Sequence, residues 1–239
     1  MRKHPQTPEL LTILTMATLL EKGDDWSLWR SPCIIHEKDE MITQLGRAYR
    51  LFKNTFTGFD SSLTDQGLTL GNLPSLFNYE EKRKEDEEFI KNWGKEKYSG
   101  YRFYNIFALT SPSPLFWLLN RDLQTVVRTT LETDEPLWFQ CWMNYHNPNN
   151  VLNWHDHKFD YHGYISIEPH NTTTEFRQDG EPLYSIKNEV GNIYFGPGWD
   201  RQHRVVVHEE FETPRITLGF DIHTQSDLPD DQFSLIPLL

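Results

Sequence analysis

The sequence predicts a mainly β protein with a helical N-terminal part, whose strands form an antiparallel sandwich or barrel packed against helices. Two observations support this prediction. Apolar residues recur with the helical period of about 3.6 in several segments of the first part of the chain. From Pro136 onward the period changes to about 2, in short segments separated by turn residues, which is typical of antiparallel sandwiches and barrels.

Helices are predicted in four segments before Pro136. The best defined begins at Ser113, a side chain suited to cap a helix, and Pro114 takes its first turn. Residues 61–75 are rich in turn-forming residues and are predicted to form a loop. The charged segment at 78–93 is interpreted as a solvated surface helix. The other helices are predicted over residues 7–20, where Thr7 and Pro8 mark the start, and over residues 37–52.

Short strands are predicted after Pro136, and the last stretch, residues 223–239, is expected to be a tail or a strap across the surface. A further strand is expected at "NWHDHKFD" (153–160). The other predicted strands are "LWFQCWMNYH" (137–146), "HGYISIEP" (162–169), "TTEFRQ" (173–178), "LYSIK" (183–187), "GNIYFG" (191–196), "HRVVVH" (203–208) and "RITLGFDI" (215–222).

Charge and composition limit the classes of partner. Acidic residues outnumber basic ones by 35 to 23, and the formal net charge is −12, so we expect no nucleic-acid partner. The apolar run near the N-terminus is broken by Pro5, Pro8 and Glu9, without the cleavage pattern of a signal peptide. No run approaches the roughly 20 apolar residues of a membrane span. Two cysteines, Cys33 and Cys141, indicate no disulfide framework. We therefore expect a soluble, cytoplasmic protein without a membrane partner.

Histidines are concentrated in the β part, where seven of the ten lie between His146 and His208. Residues i and i+2 of a strand point to the same face, so His155 and His157 share a face and Asp156 points away. Two ligands on one strand make half of a metal site. His203, which follows the turn "FGPGWDRQ", is the best candidate for the third ligand. The sequence thus predicts a metal site of His155, His157 and His203.

The last predicted strand has one apolar and one polar face. Arg215 and Thr217 share the polar face, which we expect to look into a barrel, while the apolar face packs under the helices. A guanidinium inside a barrel needs an anionic partner, because an unpaired buried charge is costly.

These motifs, H-x-H, then H, then R-x-T, resemble the iron(II)- and 2-oxoglutarate-dependent oxygenases, in particular the prolyl-4-hydroxylase-like branch with its phage and marine-bacterial members. That family carries H-x-D/E…H…R-x-S on a double-stranded β-helix, a cupin-like jelly roll. The resemblance covers roughly residues 137–222 and includes "HGYISIEP" and "GNIYFGPGWDRQHRV". It implies a double-stranded β-helix packed against helices.

The resemblance also implies roles for single residues. His155, His157 and His203 would hold Fe(II), and Arg215 would pair with the far carboxylate of 2-oxoglutarate, with the Thr217 hydroxyl beside it. Further cofactor contacts are expected from residues that share the barrel interior. These are Asn144, His146 and Tyr164.

Two positions depart from the family pattern. His157 stands where relatives have Asp or Glu, which makes the site one charge more positive. His146 stands where relatives place a tyrosine. Asp156 or Asp160 would supply a carboxylate only if the strand bulges.

The expected function is hydroxylation of an amino acid, a peptide or a small metabolite, with release of succinate and CO2 and with ascorbate as a candidate reductant. Two alternatives stay open. One is a cupin-like three-histidine dioxygenase that does not use 2-oxoglutarate, in which Arg215 binds a substrate carboxylate. The other is a non-catalytic jelly-roll binding or structural module.

The expected organisation has three parts. Residues 1–110 form a helical and loop extension that packs on the barrel, residues 111–225 form the β-helix core with its supporting helix, and residues 226–239 form the tail. Outside the site, His162, His170 and His208 are interpreted as structural or exposed.

Overall fold

The computed structural model describes residues 15–55, 105–111, 113–146, 153–157, 159–224 and 235–238. The predictions made for residues 7–14, 61–75 and 78–93 lie outside these ranges, as does most of the predicted tail.

Strands dominate the described part of the chain. The helices are α1 (Pro32–Thr55), α2 (Ile106–Leu109) and α3 (Pro114–Leu131). The strands are β1 (Thr18–Lys22), β2 (Ser27–Arg30), β3 (Leu137–His146), β4 (Tyr161–Glu168), β5 (Thr172–Gln178), β6 (Glu181–Lys187), β7 (Asn192–Pro197), β8 (Gln202–Val207), β9 (Arg215–Thr224) and β10 (Ile236–Leu238).

The predicted helices at 37–52 and from Ser113 are confirmed. The Ser113 side chain accepts a hydrogen bond from the Phe116 amide, and Pro114 occupies the first turn of α3. Helix α1 starts earlier than predicted, at Pro32, and bends at Glu37, whose φ and ψ of −119° and 26° leave the helical region. Of the eight strands predicted after Pro136, the seven other than 153–160 are present, with boundaries that differ by two residues or fewer.

The helix predicted over residues 7–20 is wrong at its C-terminal end. Leu19 and Leu20 lie in β1, which pairs antiparallel with β2 through a short turn closed by the Gly23 amide and the Trp26 carbonyl. Both leucines are exposed. Pairing with β2 therefore decides the conformation here, and local apolar spacing does not.

The strands form two antiparallel sheets. The larger has the order β1-β2-β7-β4-β9-β3-β10, and the smaller has the order β6-β5-β8. Phe176 and Ile186 of the smaller sheet pack against Leu28, Tyr164 and Tyr194 of the larger one, so the two sheets face each other. This confirms the predicted jelly-roll, or double-stranded β-helix, architecture. The predicted C-terminal strap corresponds in part to β10, which pairs with the edge of β3.

The segment 153–157 extends the smaller sheet at β8, although it forms no regular strand. His155 and His203 make an isolated antiparallel bridge. The His155 amide donates to the His203 carbonyl at 3.1 Å, and the His203 amide donates to the His155 carbonyl at 2.8 Å. The predicted strand at 153–160 is therefore reduced to a single bridge.

The main apolar core lies between the larger sheet and the helices. Ile216, Leu218 and Phe220 of β9 face this core together with Leu119 and Val126 of α3. The alternate residues of β9 face the space between the two sheets, as the period-two pattern predicts. In the described part of the chain no helix is both long and apolar enough to cross a membrane.

One buried carboxylate joins the N-terminal strands to α3. Asp122 of α3 is fully buried and accepts hydrogen bonds from the Ala17 amide at 3.1 Å and from the Ser31 hydroxyl at 2.5 Å. Burial raises the pKa of Asp122 above its ordinary value of 3.8, in spite of these hydrogen bonds. The folded protein thus binds this proton more tightly than the unfolded chain.

The substitution Asp122→Asn should reveal this proton linkage. A carboxyl whose pKa is raised in the folded state contributes stability below its unfolded pKa, and that contribution is lost as pH rises through the folded-state pKa. The variant does not titrate, so its free energy of unfolding relative to the wild type should increase as pH rises above 3.8. Urea denaturation of both proteins at several pH values between about 4 and 8 measures this difference.

The matched control is Asp122→Ala, which leaves the Ala17 amide and the Ser31 hydroxyl without their acceptor. It should lower the free energy of unfolding by about 1–3 kcal/mol for each group left unsatisfied. A difference between Asp122→Asn and the wild type that stays constant with pH would contradict the linkage.

Candidate metal centre

Backbone contacts place the two histidines of the 153–157 segment beside β8. The bridge to His203 fixes His155, and the His157 amide donates to the Gly198 carbonyl at 3.3 Å. Gly198 lies in the β7–β8 turn, where a Cβ atom would lie 2.4 Å from the Phe159 carbonyl oxygen. Any larger residue at 198 would therefore move the turn that holds His157.

The three predicted ligands converge in the structure. One side-chain nitrogen of each of His155, His157 and His203 lies within 4.8 Å of the other two. Two nitrogens bound to one metal ion at about 2.1 Å are at most about 4.2 Å apart. The His155 ring is inclined by 57° to both of the other rings, while the His157 and His203 rings are nearly parallel, with planes inclined by 4° and centroids 5.4 Å apart. The three side chains are thus close to the arrangement that one shared metal ion requires.

Each of these imidazoles has a second partner that fixes its orientation. Nδ1 of His155 lies 2.7 Å from the Asn153 carbonyl oxygen, and Nδ1 of His157 lies 3.1 Å from Oδ1 of Asp221. The His203 ring hydrogen-bonds the backbone of Arg201. Histidines that bind metals usually donate their other ring N–H in this way.

The protonation states also suit a metal. Burial, followed by repulsion from His157, lowers the pKa of His155 from 6.5 to about 4. Burial and the neighbouring histidines lower the pKa of His203 well below its ordinary value. Both rings are therefore neutral at pH 7, and the neutral imidazole is the form that binds a metal ion.

An unsatisfied buried nitrogen supports the same conclusion. Nε2 of His157 is buried and has no hydrogen-bond partner among the described residues. A buried polar atom without a partner is costly unless a ligand engages it. The residues present therefore fit a divalent first-row metal such as iron, which accepts imidazole ligands.

Two residues join this cluster that the sequence analysis did not place there. His162 is buried and its ring stacks on the His157 ring, with centroids 3.4 Å apart and planes inclined by 15°. Nδ1 of His162 lies 2.9 Å from Oδ1 of Asp221. The sequence could have indicated Asp221, because alternation along β9 places it on the same inward face as Arg215 and Thr217. Asp156 and Asp160, the other candidate carboxylates, are exposed.

His157, His162 and Asp221 form a second close group of potential ligands. Hydrogen bonds from both rings to the Asp221 carboxylate account for the short distances of 3.1 and 2.9 Å. We therefore assign the metal to the group that contains His155 and His203.

Trp154 anchors the ligand segment to the outside of the smaller sheet. Two guanidinium groups contact its ring, with the central carbon of Arg177 4.2 Å and that of Arg204 4.7 Å from the ring centroid. Cation–π contacts of this kind contribute about 0.5–1 kcal/mol each at exposed sites. These contacts tie the Trp154 ring to β5 and β8, the strands that carry Arg177 and Arg204.

The predicted cofactor contacts lie on the inward faces of three adjacent strands. Asn144 of β3 is paired in register with Thr217 of β9, and His146 is paired with Arg215. Tyr164 of β4 pairs with Gly219. The structure therefore brings all of these side chains into the space between the sheets.

Arg215 has an unusual environment. Arg215 is 4% exposed, and no ion pair links it to an acidic side chain in the part of the chain that the structure describes. Burial lowers the pKa of Arg215 to about 10, and Tyr164 opposes this effect. A buried guanidinium without a carboxylate partner is a site prepared for an anion.

The remaining histidines that were interpreted as structural or exposed are distant from this chemistry. His208 is exposed and its ring contacts the Thr173 hydroxyl at 2.7 Å. His170 stacks on Phe211, with ring centroids 4.4 Å apart. Of the three histidines in that group, His162 alone adjoins the predicted ligands.

No protein-family model matches the sequence, and no curated protein matches it. Solved structures do match. An oxidoreductase of the 2OG-Fe(II) oxygenase family from Burkholderia pseudomallei is 11% identical with a TM-score of 0.41, covering 48% of this chain and 61% of that one. A prolyl-4-hydroxylase from Pseudomonas putida is 11% identical with a TM-score of 0.37, covering 47% of this chain and 68% of that one.

A cupin-2 domain protein from Shewanella frigidimarina NCIMB 400 is also among the matches, with 13% identity, a TM-score of 0.24 and coverage of 36% of this chain and 71% of that one. The matches thus include proteins of the 2OG-Fe(II) oxygenase family. This chain spans about three fifths of the Burkholderia protein, at 61% of its length. Identities this low concern the fold alone, so the functional argument depends on the geometry of the site.

Removal of one predicted ligand should abolish tight metal binding. We expect His155→Ala or His203→Ala to weaken Co(II) binding by more than about 100-fold, because loss of an outer hydrogen-bond partner alone costs about 10–100-fold. Isothermal titration of metal-free protein measures the affinity.

The matched control is His208→Ala, which removes an exposed histidine just past the end of β8, the strand that carries His203. Its Co(II) affinity should equal that of the wild type. Unchanged Co(II) affinity in His155→Ala and His203→Ala, or a loss in His208→Ala as large as theirs, would contradict metal binding at this cluster.

Proposed function

We propose that this chain is a non-haem iron(II)- and 2-oxoglutarate-dependent oxygenase that hydroxylates an amino acid, a peptide or a small metabolite. The observation that carries the proposal is the burial of Arg215, without an acidic partner in the described part of the chain, in the same interior as three convergent imidazoles. A cosubstrate with a metal-chelating 2-oxo acid at one end and a carboxylate at the other satisfies both features.

The interior offers further hydrogen-bonding groups around Arg215. Thr217 is buried on the same face of β9, and Asn144 lies opposite it on β3. The Ser166 hydroxyl is buried without a hydrogen-bond partner among the described residues, and Ser166 pairs with Thr217 in register. A carboxylate at Arg215 would accept hydrogen bonds from these hydroxyls and from the guanidinium, which can bind it with two parallel bonds.

The protein's own residues hold and orient the reactants. His155, His157 and His203 would hold iron(II), and Arg215 would fix the direction in which 2-oxoglutarate lies. Iron, when bound with 2-oxoglutarate and oxygen, supplies the oxidative chemistry that yields succinate, CO2 and a hydroxylated substrate. His203, Arg215 and Thr217 are buried, so a ligand held beside them would have little contact with bulk water, which strengthens each polar contact.

A second function is favoured by His157 alone. Three neutral imidazoles in place of two imidazoles and a carboxylate resemble the ligand set of cupin-like dioxygenases that do not use 2-oxoglutarate. In that case Arg215 would bind a carboxylate of the substrate. The two functions differ in whether 2-oxoglutarate binds to the iron-loaded protein.

An anaerobic titration with iron(II) and then with 2-oxoglutarate tests the proposal. We expect a visible charge-transfer band of the chelate in the wild type. Arg215→Met should weaken 2-oxoglutarate binding by about 10–100-fold, since hydrogen bonds to charged groups contribute about 1.5–3 kcal/mol. The 2-oxoglutarate affinity of Arg215→Lys should lie between those of the wild type and Arg215→Met, because lysine keeps the charge and loses the two parallel bonds.

Lys187→Met is the control, since Lys187 is an exposed cation at the end of β6. Its 2-oxoglutarate affinity should be unchanged. The free energy of unfolding of Arg215→Met should equal or exceed that of the wild type, because the variant no longer buries a charge. Iron binding without the band would favour the three-histidine dioxygenase, and absence of iron binding would favour a non-catalytic jelly-roll module.

A further inference from the structure

We propose that Asp221 is a positioning residue that acts on the metal centre through His157. It would lie behind this ligand and supply the negative charge that three neutral imidazoles lack. The inference rests on the metal centre of the proposed function, and it deepens that proposal by explaining how a histidine serves at the carboxylate position. In this arrangement the carboxylate contacts the outer nitrogen of the imidazole and does not bind the metal ion directly.

The contacts of Asp221 define this role. The residue is 1% exposed, and its Oδ1 lies 3.1 Å from Nδ1 of His157 and 2.9 Å from Nδ1 of His162. No lysine or arginine pairs with Asp221 within the described ranges, where its close side-chain partners are these two imidazoles. A buried carboxylate without a fixed cation is costly. A divalent metal ion one imidazole away would offset that cost.

The hydrogen bond to Asp221 also selects the tautomer of His157. A carboxylate accepts, so Nδ1 of His157 donates and carries the proton. Nε2 is then left with its lone pair, and this is the buried nitrogen that has no partner among the described residues. A carboxylate on the outer nitrogen raises the basicity of a metal-bound imidazole and fixes its ring.

His162 completes the arrangement from the other side. It shares the Asp221 oxygen with His157 and stacks on the His157 ring, while Trp142 packs beside both rings with centroids 5.9 and 6.1 Å away. A Cβ atom at Gly219 would lie 2.7 Å from the Trp142 ring, so glycine at 219 makes room for this tryptophan. The His157 ring is therefore held by stacking as well as by its hydrogen bond.

The charge count follows from these contacts. Two imidazoles and one carboxylate give a ligand shell a charge of −1, and three neutral imidazoles give it none. With Asp221 behind His157, the shell and its hydrogen-bonded partner together return to −1. The substitution His157→Asp would then place two carboxylates beside each other. Asp221 would repel the new carboxylate, where in the wild type it stabilises the His157 imidazole.

A double-mutant cycle with Co(II) alone as the probe tests this reversal. Asp221→Asn keeps an oxygen that can accept from His157 and removes only the charge. In the wild-type background it should weaken Co(II) binding by about 10–100-fold. In the His157→Asp background the same substitution should leave Co(II) binding unchanged or tighten it. Isothermal titration and the visible Co(II) spectrum measure affinity and coordination.

Each other outcome overturns the inference. Equal losses in both backgrounds, or loss of a ligand in the Co(II) spectrum of Asp221→Asn, would mean that Asp221 is a structural residue or a direct ligand. Failure of the wild type to bind Co(II) would overturn the proposed function as well. Because 2-oxoglutarate is absent from the experiment, a negative result in the cofactor titration leaves this test unaffected.

A measurement on the wild-type protein covers the case in which Asp221→Asn fails to fold. Long-range ¹H–¹⁵N NMR of the Zn(II)-loaded protein reports which nitrogen of His157 carries the proton. We expect a protonated Nδ1 and a metal-bound Nε2. A metal-bound Nδ1 would overturn the inference.

Discussion

The structure depends on the period-two alternation of β9, whose register is fixed on both sides. All ten residues of β9 pair with β3, and β4 pairs with the opposite edge. One face of β9 enters the apolar core beneath the helices, and the other carries Arg215, Thr217 and Asp221 into the space between the sheets. A slip of one residue would exchange these faces, burying charge in the core, so core packing and site geometry are set by the same register.

The second constraint is the cost of burying charge. The described interior contains a guanidinium, Arg215, and a carboxylate, Asp221, that do not pair with each other; they lie six residues apart on the same strand face. Each charge has polar neighbours of its own: hydroxyl and amide groups near Arg215, and imidazoles near Asp221. For stability alone, well-packed apolar residues at both positions would serve as well or better. In the proposed function, an anion binds at the Arg215 end of this face and a cation lies near the Asp221 end.

The ligand segment shows how weak local structure can still be accurately placed. Residues 153–157 form one bridge to β8 and no regular strand. Three sets of contacts outside the segment compensate: the Gly198 carbonyl, the cation–π contacts of Arg177 and Arg204 with Trp154, and the hydrogen bond from His157 to Asp221. Rigid neighbours thus fix side chains whose own backbone has little secondary structure, which is a usual way to build a site between sheets.

The sequence by itself determined the strands after Pro136, the capped helix at Ser113 and the inward face shared by Arg215 and Thr217, because hydrophobic period and capping are local. It also singled out His155, His157 and His203, which the structure brings together. Only the tertiary structure decided that Leu19 and Leu20 pair as a strand and that His162 and Asp221 adjoin His157. The contacts of Asp221 with His162 and His157 join residues 59 and 64 positions apart, and no local pattern specifies which distant strands become neighbours.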